Sequence, residues 1–285
     1  MRDAGPSRTA IGVAIHRALH QTLDAPPVFV DPLAGRILGA GARAAMNAGL
    51  VGRGAFASVL RAVLAVRARV AEETLANAVR AGVRQFVVLG AGLDTFGLRN
   101  EDPRLTVIEV DHPATQGWKR RLILEENLTP PKTLRFAPVD LAKDEMEPAL
   151  LRAGFQAGQP AFFSWLGVVM YLDAPDIRRT LGAVARLAGA EGGIVFDFFA
   201  PPRATQLLLR FILWLRGRRV AKLGEPFRAP IAPADAERWL REAGFFDVEI
   251  LGPAELRERY LRGRRMRLSP LTYIAVAHRG PVRDG

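Results

Sequence analysis

Cysteine is absent from this chain of 285 residues. That excludes disulfides, thiolate metal sites and cysteine nucleophiles, and it suits a reducing cytoplasm. Lysine is nearly absent too: of the 40 basic residues only Lys119, Lys132, Lys143 and Lys222 are lysines, and the rest are arginines. Histidine occurs at four positions, His16, His20, His112 and His278, which leaves few candidate proton carriers. Long apolar runs are also missing. The most apolar late stretch, Leu207 to Leu215, contains Arg210 and falls well short of the roughly 20 residues of a membrane helix. The opening MRDAGPSRTA lacks the apolar segment of a secretory signal. The expectation is a cytoplasmic protein with no membrane partner.

What is present is 49% hydrophobic residues, enough to bury a large core in one α/β domain with additions. The net charge of +11 invites a nucleic-acid partner. Yet the arginines are spread along an Ala-, Gly- and Pro-rich chain. The densest runs, RGRR at Arg216 to Arg219 and again at Arg262 to Arg265, have no interleaved aromatics. Compositional drift in a GC-rich genome explains such a charge, and no nucleic-acid partner is expected.

Helical spacing of Ile11, Ala14, Ile15, Ala18 and Leu19 predicts a helix over Ser7 to Leu23, with Ser7 as its cap. Proline punctuation from Asp24 to Ala34 predicts a loop that pins this helix elsewhere. Gly39 to Gly54 reads as small and flexible, and a long helix from Ala55 to Ala81 ends at Gly82. The period then changes. Strands are expected at Gln85 to Leu89, Leu105 to Val110, Thr133 to Val139, Pro160 to Gly167, Gly193 to Phe199, Asp247 to Leu251 and Thr272 to Ala277. Helices are expected at Pro113 to Asn127, Pro175 to Ala188 and Ala232 to Ala243. This alternation predicts a doubly wound, mostly parallel, seven-stranded sheet. Residues 1–82 would form a helical extension covering the site. Residues 83–285 would form the core, with a helical lid at 201–230 between the fifth and sixth strands.

The first strand runs into Gly90-Ala91-Gly92, where glycines let backbone approach a ligand and a following helix would present free N–H groups. This is the ligand end of a Rossmann-like sheet. Thr95 stands where a third glycine would pack beside a dinucleotide, which counts against NAD. The second strand ends in Asp111, 21 residues after Gly90, where a carboxylate can accept from both hydroxyls of an adenosine ribose. The third ends in Asp140-Leu141, an acid for an exocyclic amine and an apolar neighbour for the ring. Together the three strand ends describe an adenosine pocket.

QFVVLGAGLDT, VIEVDHPATQ followed by Lys119, APVDL and SWLGVVMYL resemble the leucine carboxyl methyltransferase-like superfamily, in particular its bacterial polyketide-type O-methyltransferases. SRTAIGVAIHRA and VFVDPLAG are similar to the same branch, so the resemblance runs from about Ser7 to Ala277. It implies a class I methyltransferase using S-adenosylmethionine. Arg69 matches the arginine on the methionine carboxylate, Gly90 and Gly92 the loop below it, Asp111 the ribose acid, and Asp140 with Leu141 the adenine contact. Where eukaryotic members carry a glutamate before the glycine after the fourth strand, this chain has Leu166 before Gly167, and Ser7 and Arg8 replace an N-terminal lysine. These departures argue against a protein C-terminus as substrate.

The expected acceptor is a small, aromatic or polyketide-type molecule. A carboxylate acceptor is ionised at neutral pH and needs no base, whereas a phenol is better served by one. No metal and no catalytic base are expected. His16 and His20 stand four apart without a third ligand, and His112 shapes a turn. Arg8 and Arg17 are candidates for drawing in a carboxylate, and Tyr171 for lining the acceptor pocket. An NAD(P)-dependent oxidoreductase is the first rival, but it lacks a Tyr-x-x-x-Lys pair at Tyr171 or Tyr260. A basic nucleic-acid or membrane-surface binder is the second. Oligomeric state is not legible.

Overall fold

The computed structural model describes residues 8–141, 144–202 and 230–280. Three helices come first: α1 (Arg8–Leu23), α2 (Gly39–Asn47) and α3 (Ala55–Arg80). Seven strands follow: β1 (Gln85–Leu89), β2 (Thr106–Asp111), β3 (Leu134–Pro138), β4 (Ala161–Trp165), β5 (Gly193–Phe199), β6 (Asp247–Leu251) and β7 (Thr272–His278). Between them lie α4 (Phe96–Arg99), α5 (Pro113–Glu125), α6 (Met146–Arg152), α7 (Ala174–Ala188), α8 (Pro233–Ala243) and α9 (Pro253–Leu261).

The strands form one sheet in the order β3-β2-β1-β4-β5-β7-β6, parallel except for β7. The order reverses direction between β1 and β4, and in open α/β sheets ligands bind at the C-terminal strand ends beside such a switch point.

Alternation within each strand feeds two apolar layers. Phe86 and Val88 of β1, Val107 of β2, Phe162 of β4 and Val195 of β5 pack toward α1, α3 and α5. Val87, Leu89, Ile108, Val110, Phe163, Trp165 and Phe196 pack toward α6, α7 and α8. A strand covered on both faces is near-continuously apolar, as β1 and β4 are, and the fourth strand was expected on that ground. Polar residues on the first face, notably Glu109, Ser164 and Asp197, are buried exceptions.

Helix ends follow the sequence signals. Gly82, at φ +109°, ends α3 with Gly82 N–H donating to Val79 O (3.1 Å) and Val83 N–H to Ala78 O (3.0 Å). This pairing satisfies carbonyls the helix would leave open. Pro113 opens α5 behind His112, whose ring Nδ1 accepts from Ala114 N–H at 3.2 Å.

The loop after α1 is pinned, as its prolines suggested. Arg61 of α3 grips both oxygens of Asp24 at 2.7 and 3.0 Å, and His20 Nε2 accepts from Val28 N–H at 3.0 Å. Two expectations need correction. The stretch read as flexible contains α2, because its alanines favour helix despite flanking glycines. No full helix follows Gly92; α4 is a single four-residue turn. Residue 7, the expected cap of α1, and residues 203–229, most of the expected lid, lie outside the described residues.

Candidate functional site

The ends of β1, β2, β4 and β5 converge on a backbone cradle. Gly90 turns with φ +66°, its N–H donating to Val110 O at 2.8 Å, and Gly92 follows at φ +48°. These are left-handed conformations that glycine adopts without steric cost. Space is also limited: a Cβ on Gly90 would come within 2.4 Å of Val168 Cγ2, and one on Gly92 within 3.2 Å of Ala10 Cβ.

Asp111 closes the cradle from β2. Its Oδ2 accepts from Gly92 N–H at 2.5 Å and its Oδ1 from His112 N–H at 2.7 Å. Burial raises its pKa, and the two N–H donors and Lys119 pull the other way. Each oxygen keeps a lone pair for a further donor. Asp140 and Leu141 follow β3, both half-buried, with Asp140 N–H donating to Asp144 Oδ2 at 3.2 Å.

Beneath the loop lies a buried ion pair. Lys119 Nζ donates to Glu109 Oε2 and to Asp94 O, each at 2.5 Å, and both side chains are almost fully buried. Burial pushes the Glu109 pKa up to about 7 against the pull of Lys119. Its Oε1 has no hydrogen-bond partner. Burial also opposes charge on Asp94, but Arg17 and Lys119 outweigh it and hold that carboxyl below its ordinary range.

The two arginines Arg67 and Arg69 of α3 are placed differently. Arg69 is exposed, its Nε bound to Glu73 Oε1 at 2.5 Å. Arg67 is the one that reaches the strand ends. Its Nη1 donates to Asp197 Oδ2 at 2.9 Å, and Asp197 Oδ1 accepts from Gly167 N–H at 2.6 Å. A Cβ on Gly167, itself at φ +74°, would meet the Arg67 guanidinium at 2.8 Å. Two helical positions differ by a rotation of about 200°, so the two arginines point to opposite sides. The signal was legible: Val63, Leu64, Val70 and Ala71 stand three and four residues from Arg67, inside the apolar stripe.

Arg17 also departs from its expected role. Its guanidinium is buried against Leu93 O, Asp94, Thr95 and Asp31, so it faces the loop rather than an incoming acceptor. The side chain of Arg8 lies outside the described residues. Tyr171 is half-buried in a 3-10 turn, Val169–Tyr171, just past Gly167. Asp197 and Thr95 were missed by sequence reasoning; a lone acid in the apolar run GIVFDFF marked the first.

Two of the histidines lie away from the strand ends that form the cradle. His20 is tied to Asp24 and the backbone, and His278 pairs with Gly193 at the opposite end of the sheet. Among the described residues no cluster of three or more metal-ligating side chains occurs, and no helix is long and apolar enough to cross a membrane.

A family model described as leucine carboxyl methyltransferase matches residues 10–185. YktD of Bacillus subtilis, which carries the name of a S-adenosyl-L-methionine-dependent methyltransferase, is 32% identical over 214 residues, covering 74% of this chain and 70% of its own. A similarly named protein of Mycolicibacterium paratuberculosis is 33% identical over 191 residues, covering 64% of this chain and 58% of its own. Among solved structures, magnesium protoporphyrin IX methyltransferase of Synechocystis aligns with TM-score 0.50 at 15% identity, covering 80% of this chain and 90% of that one. The CurJ carbon methyltransferase aligns with TM-score 0.51 at 15% identity, covering 96% of this chain and 67% of that one. At such identities these two bear on the fold alone.

Proposed function

Because the chain belongs to the leucine carboxyl methyltransferase family, we propose that it transfers a methyl group to an oxygen of a small acceptor, the carboxylate of an aromatic or polyketide-type molecule. It is a methyltransferase whose cofactor is S-adenosylmethionine. The cradle suits that cofactor on this chain's own geometry: glycines where a side chain would collide, a carboxylate with spare lone pairs, and a guanidinium with donors left over.

Asp111 would take the ribose hydroxyls, and Asp140 with Leu141 the adenine. Gly90 and Gly92 would lie under the methionine portion. Arg67, in place of Arg69, would take the methionine carboxylate. Its guanidinium has five N–H donors, and Asp197 uses one at Nη1. Asp197 fixes the fork's direction, leaving its other edge to grip a carboxylate. Bound S-adenosylmethionine supplies an activated methyl group, so the hard chemistry comes with the cofactor. The protein's share is alignment and exclusion of water, and orientation of this kind contributes on the order of several kcal/mol.

The observation that favours a carboxylate acceptor is the state of His112. His112 stands nearest the strand ends, and its Nδ1 accepts from Ala114 N–H. The neutral ring then carries its proton on Nε2 and has no free acceptor for a substrate hydroxyl. An ionised carboxylate needs no such acceptor. The described part of the N-terminal extension, residues 8–82, would cover the site, and Tyr171 would line the acceptor pocket. Acceptor specificity is set by such additions rather than by the shared scaffold.

The test is incubation with deuteromethyl-labelled S-adenosylmethionine and a panel of aromatic acids and their phenolic counterparts. Labelled methyl esters, cleaved by mild alkali, are expected. Labelled aryl ethers with no ester would overturn the carboxylate assignment.

A further inference from the structure

The extension is fastened to the Gly90–Thr95 loop through one guanidinium. Arg17, 6% exposed, donates from Nη2 to Leu93 O (3.0 Å) and Thr95 Oγ1 (3.3 Å), and from Nη1 to Asp94 Oδ2 (3.3 Å). Its Nη2 also lies 2.9 Å from Asp31 Oδ2. The Thr95 hydroxyl, fully buried, donates to Asp31 Oδ2 at 2.7 Å and accepts from Arg99 Nε at 3.1 Å. Arg99 in turn pairs with Glu72 of α3. Thus α1 and the loop after it reach residues 93–95 directly, and α3 reaches them through Arg99.

Those residues directly follow Gly92, whose N–H holds Asp111 Oδ2 and whose Cα faces Ala10 of α1. Moving residues 93–95 would move that N–H and turn the Asp111 carboxylate. A buried guanidinium is tolerated only when it is well paired, and removing one partner leaves the others uncompensated. Arg17 is paired largely by the loop itself. Arg61, a buried arginine of α3, bonds Asp24 and Gly52 O among the described residues, both within the extension.

We propose that Arg17 is a positioning residue for cofactor binding: docked from α1, it fixes the loop conformation in which Gly92 N–H aligns the Asp111 carboxylate. The extension would then be part of the cofactor site although α1 need not touch the adenosine. This proposal rests on reading the cradle as the S-adenosylmethionine site.

Calorimetric titration of the full chain with S-adenosylhomocysteine tests it. Arg17→Met should bind at least tenfold more weakly than wild type, and Arg17→Lys, which keeps a charge but not the fork, should fall between. Amide hydrogen exchange should speed up at residues 90–95 in Arg17→Met and stay unchanged in β4. Arg61→Met serves as the comparison: a lower melting temperature with affinity within twofold of wild type. Arg17→Met within twofold of wild type would overturn the proposal, as would equal losses in Arg17→Met and Arg61→Met. Should Arg17→Met not fold, Thr95→Val, which removes one hydroxyl of the network, carries the test. A loss of threefold or more supports positioning, and an unchanged affinity refutes it. Failure of the wild-type chain to bind would instead sink the cofactor reading, and that titration reports it separately.

Discussion

Replacing Asp111 by Asn changes one atom and separates the cofactor role from the structural one. In the wild type both carboxylate oxygens are used by backbone, Oδ2 by Gly92 N–H at 2.5 Å and Oδ1 by His112 N–H at 2.7 Å. An amide keeps one acceptor, so one of these N–H groups would face NH2. Losing a hydrogen bond to a charged group costs roughly 1.5–3 kcal/mol. Against this, burial makes the Asp111 charge unfavourable, and deleting it relieves that cost. The two effects oppose each other, so net stability should change by only about 1–2 kcal/mol, a few degrees in Tm for a chain of this size. The ligand has no such compensation. Two ribose hydroxyls would lose a charged bidentate acceptor, and a loss of about 2–4 kcal/mol corresponds to roughly 30- to 1,000-fold in Kd. Calorimetry with S-adenosylhomocysteine, alongside a thermal melt, reads both quantities. A Kd within threefold of wild type at a nearly unchanged melt would refute the assignment of Asp111.

Other perturbations address neighbouring parts of the site. Arg67→Lys should weaken S-adenosylhomocysteine about tenfold while leaving 5′-methylthioadenosine, which has no carboxylate, unaffected; Arg69→Ala should change neither, and the reverse pattern would restore Arg69 to the site. Gly90→Ala should destabilise by about 1–2 kcal/mol for the left-handed backbone alone, with more from the approach to Val168. Adding Val168→Ala should recover the steric part and not the backbone part, which urea unfolding can check. Glu109 supplies a pH signature. Its pKa is raised from 4.5 to about 7 by burial, so the folded state binds its proton more tightly than the unfolded chain does. That contribution is fully present below about pH 4.5 and falls away as pH rises through 7, by roughly 3 kcal/mol. Unfolding free energies at pH 5 and pH 8 should therefore differ less in Glu109→Gln than in wild type; identical differences would contradict the burial argument.

Much of the scaffold was readable because the central strands, buried on both faces, are near-continuous apolar runs punctuated by glycine and proline. QFVVL before Gly90, and Pro113 opening α5 behind Asp111, placed the ligand end directly. The elements that escaped are those held by tertiary contacts. The segment Gly39–Asn47 has two glycines in its first three residues and does not declare itself a helix, yet Arg43 binds Glu126, the residue that caps the C-terminal end of α5, at 2.7 Å. Thr95 looked like a missing glycine and is instead a buried hydroxyl joining Asp31, Arg17 and Arg99. The proposal of Arg67 in place of Arg69 has a different ground. The family resemblance pointed to Arg69, whereas the 3.6-residue period of α3 already placed Arg67 among Val63, Leu64, Val70 and Ala71. Where motif and period disagree on a helix, the period reports which way the side chain points.

A crystal structure of the full chain grown with S-adenosylhomocysteine tests the central claim most directly. The account predicts the ribose on the Asp111 carboxylate, the adenine beside Asp140 and Leu141, and the amino-acid carboxylate against Arg67. Density for the ligand elsewhere, or for a diphosphate-containing nucleotide seated over Gly90, would contradict it.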